Sequence, residues 1–136
     1  MSANPYHVIV WIDHQTAHLY GVHRDSIGEI ATIHVPDQDR GHIHHKAGTP
    51  GSGHAAVAPG LLREVAGALS NAQEILIVGP ADAKTALKKY IVLQLPLLAK
   101  RIIGMEPMGR AHMDDIHALA VRFFHRHDLP DAVQDR

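Results

Sequence analysis

The chain has 136 residues, 46% hydrophobic and 20% charged, a balance that supports one ordinary globular core and excludes a disordered polymer. A formal net charge of −1 and a pI near 6.9 exclude a global pull toward nucleic acid or membrane, so any such contact must come from a local patch. The absence of cysteine excludes disulfides, thiolate metal ligands and a Cys nucleophile.

The opening residues Met1 to Tyr6 carry no basic region ahead of a long apolar run. Val8 to Ile12 is strand-length, against the roughly 20 residues of a membrane span, so a cytoplasmic protein with no membrane partner is expected. Histidine is the outlier. Thirteen of them stand beside 13 Lys plus Arg and 14 Asp plus Glu, so mild acidification adds much positive charge.

His7 to Ile12 is rich in β-branched residues and reads as a buried strand. Asp13-His14-Gln15 is a short polar break, after which Thr16 to Val22 resumes as an antiparallel partner, with Ala17, Leu19 and Gly21 alternating with His18, Tyr20 and Val22 so that one face is less buried. Asp25 to Gly28 is a turn, and Glu29 to Val35 is a third strand closed by Pro36. Residues 36–58 have no periodicity and hold a run of small residues, Gly48 to Gly53, which reads as a functional loop.

From Ala58 the pattern is helical, with Leu61, Leu62, Val65, Ala66 and Leu69 on one face, Pro59 in the first turn and Ser70-Asn71 at the end. Glu74 to Val78 is a continuous apolar run, as in a strand covered on both faces. Gly79-Pro80 opens a second helix, with Asp82 in its first turn and Ala83, Ala86, Leu87, Tyr90 and Ile91 as its apolar stripe. Leu95 to Arg101 fits a helical turn or a loop, and Ile102 to Met105 a short last strand. Asp114-Asp115 open a final helix with Met113, Ile116, Leu119, Ala120 and Phe123 inward and Pro130 as its stop; residues 131–136 read as a frayed tail. The chain 1–136 is thus expected to be a single α/β domain of order βββαβαβα, the order of an RNase H-like mixed sheet with helices packed on it.

Several constellations carry possible chemistry. His42, His44 and His45 in the loop would offer imidazoles to a divalent metal if His34, His54 or Asp39 completed the set; a polar surface loop is the simpler reading. Asp13 ends the first strand, where a nuclease of this fold would place a metal-binding carboxylate, but Glu29, Glu74, Asp82 and Asp114 stand at element starts, where turns and caps explain them. Gly79 to Lys84 lacks the second glycine and the hydroxyl of a phosphate-cradling loop. Between Ala83 and Met105 there are five bases (Lys84, Lys88, Lys89, Lys100, Arg101) and no acid, and Lys84 and Lys88, one turn apart, should stand exposed together opposite the apolar stripe. Aromatics at 4% disfavour recognition by base stacking, leaving the sugar-phosphate backbone.

Three stretches, Val10-Trp11-Ile12-Asp13-His14-Gln15-Thr16-Ala17-His18-Leu19-Tyr20, His44-His45-Lys46-Ala47-Gly48 and Glu74-Ile75-Leu76-Ile77-Val78-Gly79-Pro80-Ala81-Asp82-Ala83-Lys84, carry a resemblance. In this order they resemble the central domain of the eukaryotic and archaeal peptide-chain release factors and of Pelota, and their short bacterial relatives, the translational machinery proteins. The resemblance runs from about His7 to His125. It implies an RNase H-like fold and a role at the ribosome.

In release factors the matching loop ends in Gly-Gly-Gln, which promotes peptidyl-tRNA hydrolysis; here it reads Gly51-Ser52-Gly53-His54, and the chain holds no Gly-Gly-Gln. The resemblance therefore implies a non-enzymatic factor without a cofactor, partnered by ribosome or tRNA. Contact would run through Lys46, Gly51, Ser52, Gly53 and His54 and through Lys84, Lys88, Lys89, Lys100 and Arg101. The alternatives are a small metal-dependent hydrolase or nuclease built on the histidine loop, and an oligomerising interaction module.

Overall fold

The computed structural model describes residues 7–23, 26–35, 57–110 and 112–124. Strand β1 (His7–Ile12) turns into β2 (Thr16–Val22) and pairs with it antiparallel, from Ile12 opposite Ala17 to His7 opposite Val22. The turn is held by Asp13, whose Oδ1 accepts the backbone N–H groups of Gln15 (2.9 Å) and Thr16 (2.7 Å). An aspartate supplies that local acceptor without competing with the ladder.

Strand β3 (Ile27–His34) continues the antiparallel meander against β2. It starts two residues before the expected Glu29, because a bulge lets the pairing run on to Ile27. Leu19 faces Ala31 but Tyr20 faces Glu29, so Ile30 is the extra residue of a β-bulge.

Helix α1 (Pro59–Ala68) leads into β4 (Glu74–Gly79), which pairs parallel with β1. Helix α2 (Ala83–Gln94) and the one-turn α3 (Pro96–Ala99) lead to β5 (Ile102–Pro107), parallel to β4, and α4 (Met113–Phe123) follows. The five strands form one mixed sheet in the order β3-β2-β1-β4-β5. The expected βββαβαβα order holds, with α3 as the helical turn that Leu95 to Arg101 allowed and β5 running two residues beyond Met105.

Strand alternation divides the core. Val8, Val10 and Ile12 of β1, with Ala17, Leu19, Ile75 and Ile77, face α1 through Leu61, Val65, Ala66 and Leu69, α2 through Ala83, Leu87 and Ile91, and Leu98. Ile9 and Trp11, with Tyr20, Val22, Leu76 and Val78, face α4 through Ile116, Leu119 and Ala120, and Phe124 beyond it. Both faces of β4 are therefore buried, as its apolar run requires.

Some expectations need correcting. Met113 is 44% exposed, because the first residue of α4 lies outside the turn that grips the sheet. Phe123 is half-buried, and Ala86 and Tyr90 are half-buried at the edges of the α2 stripe; on β2 both alternating sets are largely buried, with His18 half-buried among them. Asp82 is not in the first turn of α2 but at its N-cap, with no side-chain cap bond. The helix cannot start earlier, since Gly79 has φ 147° and Ala81 φ 49°. A Cβ at Gly79 would run into the carbonyl oxygen of Ile12, so only glycine lets β4 end this close to β1. The loop 36–56, the helix stop at Pro130 and the tail 131–136 lie outside the described residues.

Candidate nucleic-acid interface and strand-end cleft

Helix α2 buries Ala83, Leu87 and Ile91 at spacings of four, which turns Lys88 and Lys89 outward. Both are exposed, as is Lys100 just after α3, and none of the three pairs with a carboxylate among the described residues.

The other two expected cations differ. Lys84 is half-buried and its ammonium donates to the carbonyl of Ala81, so it flanks the stripe instead of opposing it. Arg101 is half-buried and its Nη1 donates to the Ala72 carbonyl at 2.9 Å. Of the five expected cations, three are thus exposed and two are anchored to backbone carbonyls.

Apolar side chains are interleaved with them. Leu93 and Leu97 are 73% and 74% exposed, and Val92 and Leu95 stand partly out beside them. A shallow groove of about 370 Å³ runs along the α2–α3 elbow, lined by Ser70, Gln94, Leu95, Pro96, Leu97, Leu98 and Arg101.

The carboxylates considered for catalysis do not gather. Asp13 is committed to its turn, Glu74 lies 3.3 Å from His7 at the far end of the sheet, Asp82 lies 3.3 Å from His14, and Asp114 is exposed on α4. Among the described residues no group of three His, Asp or Glu side chains could hold a metal ion. The histidine-loop candidates His42, His44 and His45, their possible partners Asp39 and His54, and the loop contacts Lys46, Gly51, Ser52 and Gly53 lie outside the described residues.

A second site was not anticipated. An open cleft of about 410 Å³ lies at the carboxyl ends of β1, β4 and β5, lined by Trp11, Asp13, His18, Pro80, Gly109, Arg110 and His112. On its β2 side His18 Nδ1 sits 2.7 Å from Glu29 Oε2, and the Thr32 hydroxyl donates to the same oxygen. A carboxylate only accepts, so Nδ1 carries a proton and donates to Glu29.

Thr32 and His18 together hold the Glu29 carboxyl below the usual carboxylate range. His18 also lies against the Trp11 ring at 5.6 Å and the Tyr20 ring at 6.4 Å, and burial, with Glu29 close by, raises the Tyr20 phenol. The period-2 placement of His18 with Tyr20 was visible in the sequence, but Glu29 meets His18 only through the bulge, which no local pattern announces.

No family model and no curated protein matches this sequence. Solved structures do. The Pelota protein of Thermoplasma acidophilum aligns with 17% identity and a TM-score of 0.59, over 85% of this chain and 31% of that one. Pelota of Archaeoglobus fulgidus aligns with 15% identity and a TM-score of 0.63, over 92% of this chain and 33% of that one. The archaeal translation termination factor aRF1 aligns with 11% identity and a TM-score of 0.59, over 93% of this chain and 35% of that one. This chain therefore spans about a third of the length of its structural neighbours, consistent with one central domain of such a protein, and it shares their fold.

Proposed function

We propose that this chain, whose fold is that of a segment of the Pelota and release-factor proteins, is a translation-associated factor that binds the ribosome or tRNA without hydrolysing peptidyl-tRNA. The observation that carries the reading is the face of Lys88, Lys89 and Lys100, exposed and without carboxylate partners among the described residues, on a chain of net charge −1. Unpaired ammonium groups on a rigid helix lose little on meeting phosphate, and each contact releases counterions from the nucleic acid. Lys84 and Arg101 extend the face at either end.

Two further features support the reading. Of the fold neighbours, aRF1 is by name a translation termination factor and the yeast Dom34 protein a termination-like one, which favours a translation-related role. The segment matching the catalytic loop of release factors, Gly51-Ser52-Gly53-His54, lacks the glutamine, so this factor would bind without promoting ester hydrolysis; Lys46 and that segment form its second contact.

Co-sedimentation with ribosomes at a series of salt concentrations tests the reading. The Lys88→Glu, Lys89→Glu, Lys100→Glu triple variant should bind more weakly and with a shallower salt dependence. Pelleting identical to wild type at every salt concentration would remove the basic face from the account.

A further inference from the structure

The strand-end cleft lies where the chain changes sides. After β4 the chain passes into α2, which packs on the face of Val8, Val10 and Ile12; after β5 it passes into α4, which packs on the opposite face with Ile9 and Trp11. Strands β4 and β5 are adjacent and parallel. Two neighbouring parallel strands whose outgoing connections diverge leave a crevice between them at their carboxyl ends, and ligands of open α/β sheets bind in such crevices. Here that crevice is bounded by Pro80 after β4 and by Gly109, Arg110 and His112 after β5.

Its lining is rich in donors. Arg110 and His112 are exposed, and neither pairs with a carboxylate among the described residues. Trp11 is nine-tenths buried, at 8% exposure, and its indole N–H finds no acceptor among the described residues. Buried polar groups nearly always have a partner, so an orphaned donor in a cleft-lining residue is itself a pointer to a ligand or bound water.

The acceptor side is thin. Among the described residues the one carboxylate lining the cleft, Asp13, already receives two backbone N–H groups on Oδ1. Glu29 accepts the Nδ1–H of His18 in a hydrogen bond and so fixes the ring against the cleft wall. Asp114 and Asp115 in the first turn of α4 are exposed and do not line the cleft.

We propose that this cleft binds a small phosphorylated ligand, with Arg110 and His112 receiving the phosphate and Trp11 and His18 forming the wall against which the rest of the ligand lies. The guanidinium fork takes two phosphate oxygens at once and leaves a third for His112, an acceptor that a carboxylate lacks. A volume of about 410 Å³ falls within the range of small-molecule sites and exceeds what inorganic phosphate alone requires. The site is separate from the lysine face and stands or falls independently of ribosome binding.

Trp11 is the chain's single tryptophan, so its emission reports on this cleft alone. The full chain is titrated at neutral pH with inorganic phosphate, ribose 5-phosphate, adenosine 5′-monophosphate and adenosine, with calorimetry in parallel to register optically silent binding. The expected result is saturable binding of at least one phosphate monoester and none of adenosine. Arg110→Gln should weaken that binding about tenfold or more, with unchanged far-UV circular dichroism.

Saturation by ribose 5-phosphate as well as the nucleotide would place recognition in the sugar phosphate; saturation by the nucleotide alone would add a contact to the base. No saturable binding of any phosphorylated probe by either method would overturn the proposal. So would binding that Arg110→Gln and His112→Gln leave unaltered, which marks a site elsewhere on the molecule.

Discussion

The two faces of the sheet are built on opposite plans. One is closed by α1, α2 and Leu98 over an unbroken set of aliphatic side chains, and its chemistry lies on the outside, in Lys88, Lys89 and Lys100. Among the described residues the other has α4 as its one covering helix, which reaches Ile9, Tyr20, Val22, Leu76 and Val78 but leaves a cleft at the carboxyl ends of the parallel strands beside His18. A closed face can present only the backs of its helices. A half-covered face can hold polar side chains in fixed geometry inside a crevice. On the two proposals made above, the first surface would meet an extended polyanion and the second a small one.

Substitutions on the closed face should have the largest effect on stability. Leu87 is fully buried between α2 and the sheet, so Leu87→Ala should cost about 2–5 kcal/mol, read by chemical denaturation. Gly79→Ala at the rim between the faces should cost about 1–3 kcal/mol in backbone strain alone, with the displacement of Ile12 in addition, read as a lower melting temperature.

Acidification discriminates the faces in another way. His7, on the α4 side against the Phe124 ring, is held below its ordinary pKa by burial, which outweighs the Glu74 carboxylate 3.3 Å away; His23 also lowers it. A folded-state pKa below the unfolded one means that unfolding takes up a proton. The contribution is therefore intact above about pH 6.5 and is lost as pH falls through that value toward the folded pKa. The melting temperature should fall between about pH 7 and 5.5 more steeply for wild type than for His7→Gln, and equal slopes would show that His7 carries no such linkage.

The smallest effect is expected on the open face. Glu29→Gln removes a carboxylate that is well exposed to solvent, so stability should change by less than about 1 kcal/mol in denaturant titration.

The closed face was largely legible in the sequence, because burial on both sides writes a continuous apolar run in β4 and a stripe of spacing four in α2. Strands β1 and β2 fall where their β-branched and alternating residues place them. What local pattern misjudged were the places where tertiary contact decides. Strand β3 extends back to Ile27 because a bulge at Ile30 keeps it paired, and α2 waits until Ala83 because Gly79 and Ala81 have positive φ. The open face was hidden for the same reason. His18, Arg110 and His112 are separated by up to 94 positions along the chain and meet at one cleft, with Glu29 bonded to His18, only through the sheet order β3-β2-β1-β4-β5, which periodicity does not encode.

Of all these, the salt dependence of ribosome binding bears most directly on the central claim that outward lysines on α2 and after α3 engage nucleic-acid phosphate. For the wild-type chain the logarithm of affinity should fall linearly with the logarithm of salt concentration, and charge reversal at Lys88, Lys89 and Lys100 should reduce that slope by about three phosphate contacts. A wild-type affinity independent of salt, or a slope that the triple variant leaves unchanged, would contradict it.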